Sequence, residues 1–211
     1  MQDFQASEKL SKLADFSKQK YDEADLLQHN WEHIIRNIYR SEKIAETEEN
    51  VDLETLYAAT MLHDIGVTIG EYKNHEENSR KVAKEELPNC GFSDEETKKI
   101  VEVLEAFAGK KEITMVEAKI LSDADKLEKS SLAAAFNTFK VSKELDKNIQ
   151  DMVENLSKYR KLQQEGFYTE KAEEMNNGGV QERIEFMEKF RERLKDREDF
   201  TASEKDLKID I

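Results

Sequence analysis

The sequence predicts an all-α fold, and three observations carry that expectation. Helix breakers are scarce, with one Pro and 7 Gly in 211 residues. Apolar residues recur at helical spacing, and no run long enough for a strand alternates with period two. Ser, Thr, Asn or Asp precedes several of the apolar runs, where such side chains cap helix N-termini.

From Asp3 to about Lys20, Phe4, Leu10, Leu13 and Phe16 form a thin apolar stripe on a charged helix. A second helix is expected over about 22–48, with Trp31, Ile34, Ile35 and Ile38 at helical spacing. A third runs from near Asp52 to His63 through Leu53, Leu56, Tyr57 and Thr60, and stops around Gly66 and Gly70. Asn74 with Glu77 suits the start of a helix reaching Glu86, after which Pro88 and Gly91 break the chain. Ser93 to Glu96 and Thr114 to Glu117 both have the hydroxyl and carboxylate of a capping box. The second box opens a helix through Leu121, Ala124 and Leu127. Helix is expected again over about 148–162, Thr169 suits a cap, and Asn176-Asn177-Gly178-Gly179 is the clearest break. A last helix places Val180, Ile184, Met187, Phe190 and Leu194 on one stripe, which suits packing on its own domain or, in a homodimer, on a second copy. The expected organisation is one domain: an N-terminal helix in 1–20, a core in 21–145, and C-terminal helices in 146–211.

Charge and cysteine usage narrow the function classes. The chain has 33 Lys and Arg against 47 Asp and Glu, a net charge of -14. Such acidity argues against binding nucleic-acid polymers or anionic membranes, which need clustered Lys and Arg. No run approaches the roughly 18 apolar residues of a membrane span, and the polar start has no signal-peptide core. The single cysteine, Cys90, excludes an internal disulfide framework. A cytoplasmic location is the expectation.

All four histidines fall between positions 29 and 75. His29 and His33 are four apart, and on one helix they share a face with Asn37 and Arg40, which reads as solvated. His63 is different, because Leu53, Leu56 and Thr60 share its stripe. A core-facing histidine needs a partner or a metal. Asp123 and Asp125 are two apart, so they point to opposite sides of a helix. Asp123 lines up with Lys119, Lys126 and Ser130, a polar strip, whereas Asp125 lines up with Ala118, Leu121 and Leu132, an apolar one. A carboxylate on an apolar strip is costly unless it binds a cation or a strong donor, so Asp125 is the better ligand candidate. Imidazoles and carboxylates arriving from separate helices suit an octahedral divalent site.

Three blocks share a pattern with a known family: Trp31-Glu32-His33, then Ala58 to Gly66 with His63-Asp64, then Ile120 to Leu127 with Asp123 and Asp125. Their order and spacing over roughly 25–140 resemble the H…HD…D signature of the HD superfamily of metal-dependent phosphohydrolases. The segment from Phe167 to Phe190 is also similar to the tail of small stand-alone HD hydrolases. The resemblance implies an HD-domain helical bundle with additional N- and C-terminal helices. It implies one divalent ion (Mn, Co, Ni, Fe, Mg or Zn) held by His33, His63, Asp64 and Asp125. His75 is similar to a histidine that contacts phosphate or supports a second metal, and His29 to one that often precedes the Trp. Many members carry a further histidine some thirty residues after His75; here Glu105-Ala106-Phe107-Ala108 occupies that region.

The implied activity is hydrolysis of a phosphate ester or anhydride in a nucleotide or small phosphorylated metabolite. Asp64 would hold metal and water, while His75, His29 or Lys126 neutralises phosphate charge or protonates the leaving oxygen. Two rival classes stand beside it. An HD-like di-iron oxygenase needs more histidine ligands than His75 alone supplies. A non-catalytic, metal-stabilised module would sense a ligand or bind a partner.

Overall fold

Capping chemistry sets most of the helix starts in the computed structural model, which describes residues 6–132, 134–145 and 157–195. Among these residues all regular structure is helical. Helix α1 (Glu8–Ala24) begins where the Ser7 side chain accepts from the Leu10 N–H, and it ends at Asp25 in the left-handed region. Leu10, Leu13 and Tyr21 form its buried stripe.

The second helix starts later than its apolar spacing suggests. Residues 22–24 belong to α1, a loop follows, and α2 (Trp31–Ala45) starts behind Asn30, whose side chain accepts from the His33 N–H. Ile34 is fully buried, but Ile35 is 49% exposed, so only one of the two adjacent isoleucines faces the core.

Asp52 caps α3 (Leu53–Leu62), in which every residue from Thr55 onward is buried. Two 3-10 turns, Ile65–Thr68 and Tyr72–Asn74, lead into α4 (His75–Cys90). That helix forms without a side-chain bond from Asn74, and it passes through Pro88 instead of stopping at Glu86. Pro88 sits in the last turn, where a missing N–H removes a single helical bond. Gly91, at φ 102°, then ends the helix.

In α5 (Asp94–Phe107) both bonds of the expected capping box form between Ser93 and Glu96. The other expected box does not. Helix α6 begins at Val116 and runs to Ser130. Glu117 turns away to accept the Asp52 N–H at 3.0 Å and to pair with Lys99.

Among the described residues, α7 (Ala134–Glu144), α8 (Ser157–Glu165), α9 (Glu170–Asn176) and α10 (Gly179–Lys195) follow. The sequence pattern did not point to α7. The chain divides into two compact units, Met1–Glu128 with Phe167–Asn177, and Lys129–Gly166 with Gly178–Ile211.

In the first unit, Leu13, Ile34, Leu56, Leu62, Ile65, Leu87, Ile100 and Leu121 are almost or fully solvent-free. Helix α9 belongs to it, packs on α2 and buries Ala172. Its cap is Thr169, as expected from the sequence.

In the second unit α10 packs on α7 and α8, and Val180, Ile184 and Met187 are buried on its stripe. The Phe190 ring meets Phe139 edge-on and stacks with Phe186. Phe4, the Leu194 side chain and the expected helical stretch over 148–156 lie outside the described residues. Among the described residues, no helix is long and apolar enough to cross a membrane.

Candidate metal centre

Three helices of the first unit deliver side chains to one place. The first turn of α2 supplies His33, the end of α3 supplies His63 and Asp64, and α4 starts on His75. Gly66 makes the last of these approaches possible. A Cβ there would lie 2.0 Å from the His75 carbonyl oxygen, so only glycine lets α4 press against the turn after Asp64. The Gly66 N–H donates to the Ser79 Oγ at 2.9 Å and fixes that approach.

Among the described residues, His33, His63 and Asp64 form a group whose ligand atoms lie within 4.8 Å of one another, and all three are buried. Nε2 of His33 is 3.4 Å from Asp64 Oδ2, and Nε2 of His63 is 3.3 Å from the same oxygen. The His63 Nδ1 lies 2.8 Å from the Thr60 carbonyl oxygen, which requires the proton on Nδ1 and leaves the lone pair on Nε2. That Nε2 is buried and has no hydrogen-bond partner. A buried acceptor left unpaired costs about 1–3 kcal/mol, and a cation between it and Asp64 removes that cost. The donor set therefore fits a divalent ion.

The electrostatics agree. Burial disfavours a charged His33, yet the Asp64 and Glu128 carboxylates, helped by Asp125, raise its pKa to about 9. Burial likewise works against an ionised Asp64, but the His63, His33 and His29 imidazoles around it hold its carboxyl well below the usual range.

His75 is partly exposed, with Nε2 3.8 Å from Asp64 Oδ1. Its Nδ1 lies 2.7 Å from the Tyr72 carbonyl oxygen, so the same tautomer logic aims its Nε2 at the centre. The Tyr72 ring stacks on it at 4.8 Å.

Two sequence readings need correction. His29 is not on α2 but in the loop before Asn30, and it is buried rather than solvated. Its ring still lies 5.9 Å from that of His33 and 5.4 Å from Tyr72. Asp123 is also completely buried, although its strip looked polar. It accepts the Tyr168 N–H at 2.9 Å, and the Thr169 N–H and hydroxyl each at 2.8 Å. The helical spacing of Asp123 was read correctly, but the segment leading into α9 covers the strip.

Asp125 is buried on α6, and its charge acts on His33, but it is not one of the three groups whose ligand atoms converge. The Lys126 Nζ rests 4.4 Å above the Tyr168 ring.

Sequence reasoning missed a second carboxylate, Glu128. It is buried on the same helix and bound by Arg36, Arg40 and Gln28. The i, i+3 spacing from Asp125 was a signal available in the sequence, as was the i, i+4 pair Arg36 and Arg40. Phe107 was missed too: it meets His63 edge-on at 5.4 Å between ring centres.

The HD domain family matches residues 30–130, which contain every ligand candidate. Several solved structures share the architecture. The Lin1889 protein of Listeria innocua is 20% identical, with a TM-score of 0.66 over 89% of this chain and 96% of that one. A predicted HD superfamily hydrolase from an uncultured Thermotogales bacterium is 22% identical, with a TM-score of 0.59 over 86% of this chain and 90% of that one. Bacillus subtilis YpgQ, in a complex with ADP, is 20% identical, with a TM-score of 0.64 over 92% and 97%. No curated protein matches the sequence. With the motif order, the helical architecture and the family match in agreement, the chain is an HD-domain protein.

Proposed function

We propose that this protein is a divalent-metal-dependent phosphohydrolase acting on a nucleotide or a similarly small phosphorylated metabolite. The observation that carries the reading is the unpartnered, buried Nε2 of His63, fixed by the Thr60 carbonyl and aimed at Asp64 beside His33. His33, His63 and Asp64 would hold the ion, with Asp125 completing the set from α6. A divalent ion in such a site lowers the pKa of a coordinated water and polarises a phosphoryl oxygen.

The remaining groups suit a phosphate. His75, held by the Tyr72 carbonyl, presents its free nitrogen toward the centre, where it can donate to a phosphoryl or leaving oxygen once protonated. His29 borders both His33 and Tyr72, whereas Lys126 keeps its Nζ over the Tyr168 ring on the Asp123 side of α6 and would have to swing away to reach a phosphate. Phe107 supports a single ion. It stands in the segment where many relatives carry a further histidine, and its ring offers no ligand atom. The ADP in the Bacillus subtilis structure supports looking first among nucleotides. The overall charge of -14 is compatible with an anionic substrate, because one buried cation attracts a small phosphate locally.

The test is a screen of the Mn²⁺-, Co²⁺-, Ni²⁺- and Mg²⁺-loaded protein against nucleotides and sugar phosphates. Release of phosphate or pyrophosphate from one class is expected. Release from none would overturn the assignment.

A further inference from the structure

A network behind His33, on the side away from Asp64, has no part in the chemistry described so far. Glu128 is 5% exposed and lies between α6 and α2. Arg36 grips it through Nε at 3.0 Å and Nη2 at 2.8 Å, both on Oε1. Arg40 reaches Oε2 at 2.5 Å, and Gln28 donates to Oε1 at 3.3 Å. Oε1 also faces Nδ1 of His33 at 3.7 Å, which is too long for a hydrogen bond. That Nδ1 is buried and has no hydrogen-bond partner.

The protonation of His33 can be worked out from its neighbours. Arg40 donates to the Asn37 Oδ1 at 3.3 Å, which fixes the orientation of the Asn37 amide. The Asn37 NH2 group therefore faces the His33 Nε2, at 3.1 Å. Nε2 must then be the acceptor in the neutral ring, and Nδ1 carries the proton that points at Glu128. Nε2 is also the nitrogen that faces Asp64, so an ion bound there would replace Asn37 as the partner of its single lone pair.

We infer that Glu128 is a positioning residue for the metal centre: its carboxylate, held in place by Arg36 and Arg40, orients His33 through Nδ1 so that Nε2 is presented to the ion. The inference rests on the reading of His33 as a ligand. Carboxylates behind ligating histidines act in this way, fixing the tautomer and raising the basicity of the ligating nitrogen. The network also explains how a second buried carboxylate is tolerated so close to Asp64. Two guanidinium groups neutralise it, and burial fails to raise its pKa because His33, Arg36 and Arg40 hold it well below the ordinary carboxylate range.

A plain tie between α2 and α6 is the competing role, and three variants separate the two. Co²⁺ binding is followed by its visible absorption in the parent, Glu128→Gln, Glu128→Asp and Arg36→Gln proteins. Glu128→Gln should weaken Co²⁺ binding by about 10–100-fold. Glu128→Asp should recover part of the loss. Arg36→Gln removes the Arg36 arm of the helix-to-helix tie and leaves the carboxylate in place on Arg40, so it should weaken binding far less. Equal losses in Arg36→Gln and Glu128→Gln, or parent-like binding in Glu128→Gln, would overturn the inference.

A measurement on the unmutated protein covers the case in which a variant fails to fold. Histidine ¹⁵N NMR of the Zn²⁺-loaded protein should find the His33 proton on Nδ1, and a proton on Nε2 would overturn the inference. Parent protein that takes up no Co²⁺ overturns this inference and the proposed function together. Co²⁺ uptake without phosphate release overturns only the proposed function.

Discussion

Asp64 and Asp123 are both buried carboxylates of the first unit, yet their surroundings differ in kind. Asp123 is saturated by the chain itself, through two backbone N–H groups and the Thr169 hydroxyl. Around Asp64 stand three imidazoles, two of them with Nδ1 on a backbone carbonyl and Nε2 facing its carboxylate. Burial alone therefore does not mark a functional carboxylate. The mark is whether neighbouring groups satisfy it or leave acceptors aimed at a common point.

Breaking each carboxylate should produce opposite losses. The largest effect is expected at the centre. Asp64→Ala and His63→Ala should abolish bound metal and any phosphohydrolase activity, read by elemental analysis and phosphate release. In metal-free melting His63→Ala should lose more than Asp64→Ala, because it also gives up the bond to the Thr60 carbonyl and the contact with Phe107. Variants that keep a full equivalent of metal would show that these residues are not the ligands.

Asp123→Ala should do the reverse. It strands the Tyr168 N–H and the two Thr169 donors in a buried site, at a cost of about 3 kcal/mol in urea unfolding. Metal content should stay at the parent level. Asp123→Asn keeps one acceptor oxygen and should cost markedly less. If Asp123→Ala lost metal without losing stability, the distinction between the two carboxylates would collapse.

Much of this contrast was readable in the sequence, though not all of it. His63 stood out because its helical stripe was otherwise Leu53, Leu56 and Thr60, and the structure buries it among them. Asp125 was separated from Asp123 by helix periodicity, and it is buried. Periodicity describes one helix at a time, however. It could not show that the chain returns 45 residues after Asp123 to cover that strip with Tyr168 and Thr169. For the same reason it read Asn37 as solvated, although Asn37 is fully buried between His33 and Arg40. The α1 and α2 boundary was missed because Asp25 in the left-handed region and the Asn30 cap interrupt a stretch without Gly or Pro.

Metal itself sharpens the comparison. Mn²⁺ at about 100 times its Kd should stabilise the parent by ~2.7 kcal/mol through mass action. Asp123→Ala should gain the same increment from its lower baseline, since the two sites share no ligand. Asp64→Ala should gain none. Thermal melts with and without Mn²⁺, in the presence of a chelator control, read all three. A smaller increment in Asp123→Ala would mean that α9 and its cap are coupled to the centre.

The smallest expected effect tests how the chain saturates Asp123. Thr169 does two jobs at once: its hydroxyl donates to Asp123 at 2.8 Å and accepts the Ala172 N–H as the cap of α9. Thr169→Ala removes both and should cost about 1 kcal/mol, within the usual range for a lost cap. Thr169→Ser keeps the hydroxyl and should restore most of it, so the chemistry of the oxygen rather than the methyl would be responsible. Because Thr169 touches no group of the His33, His63 and Asp64 cluster, neither change should alter Co²⁺ affinity. A stability loss in Thr169→Ser equal to that in Thr169→Ala would show that packing, not hydrogen bonding, holds this segment over Asp123.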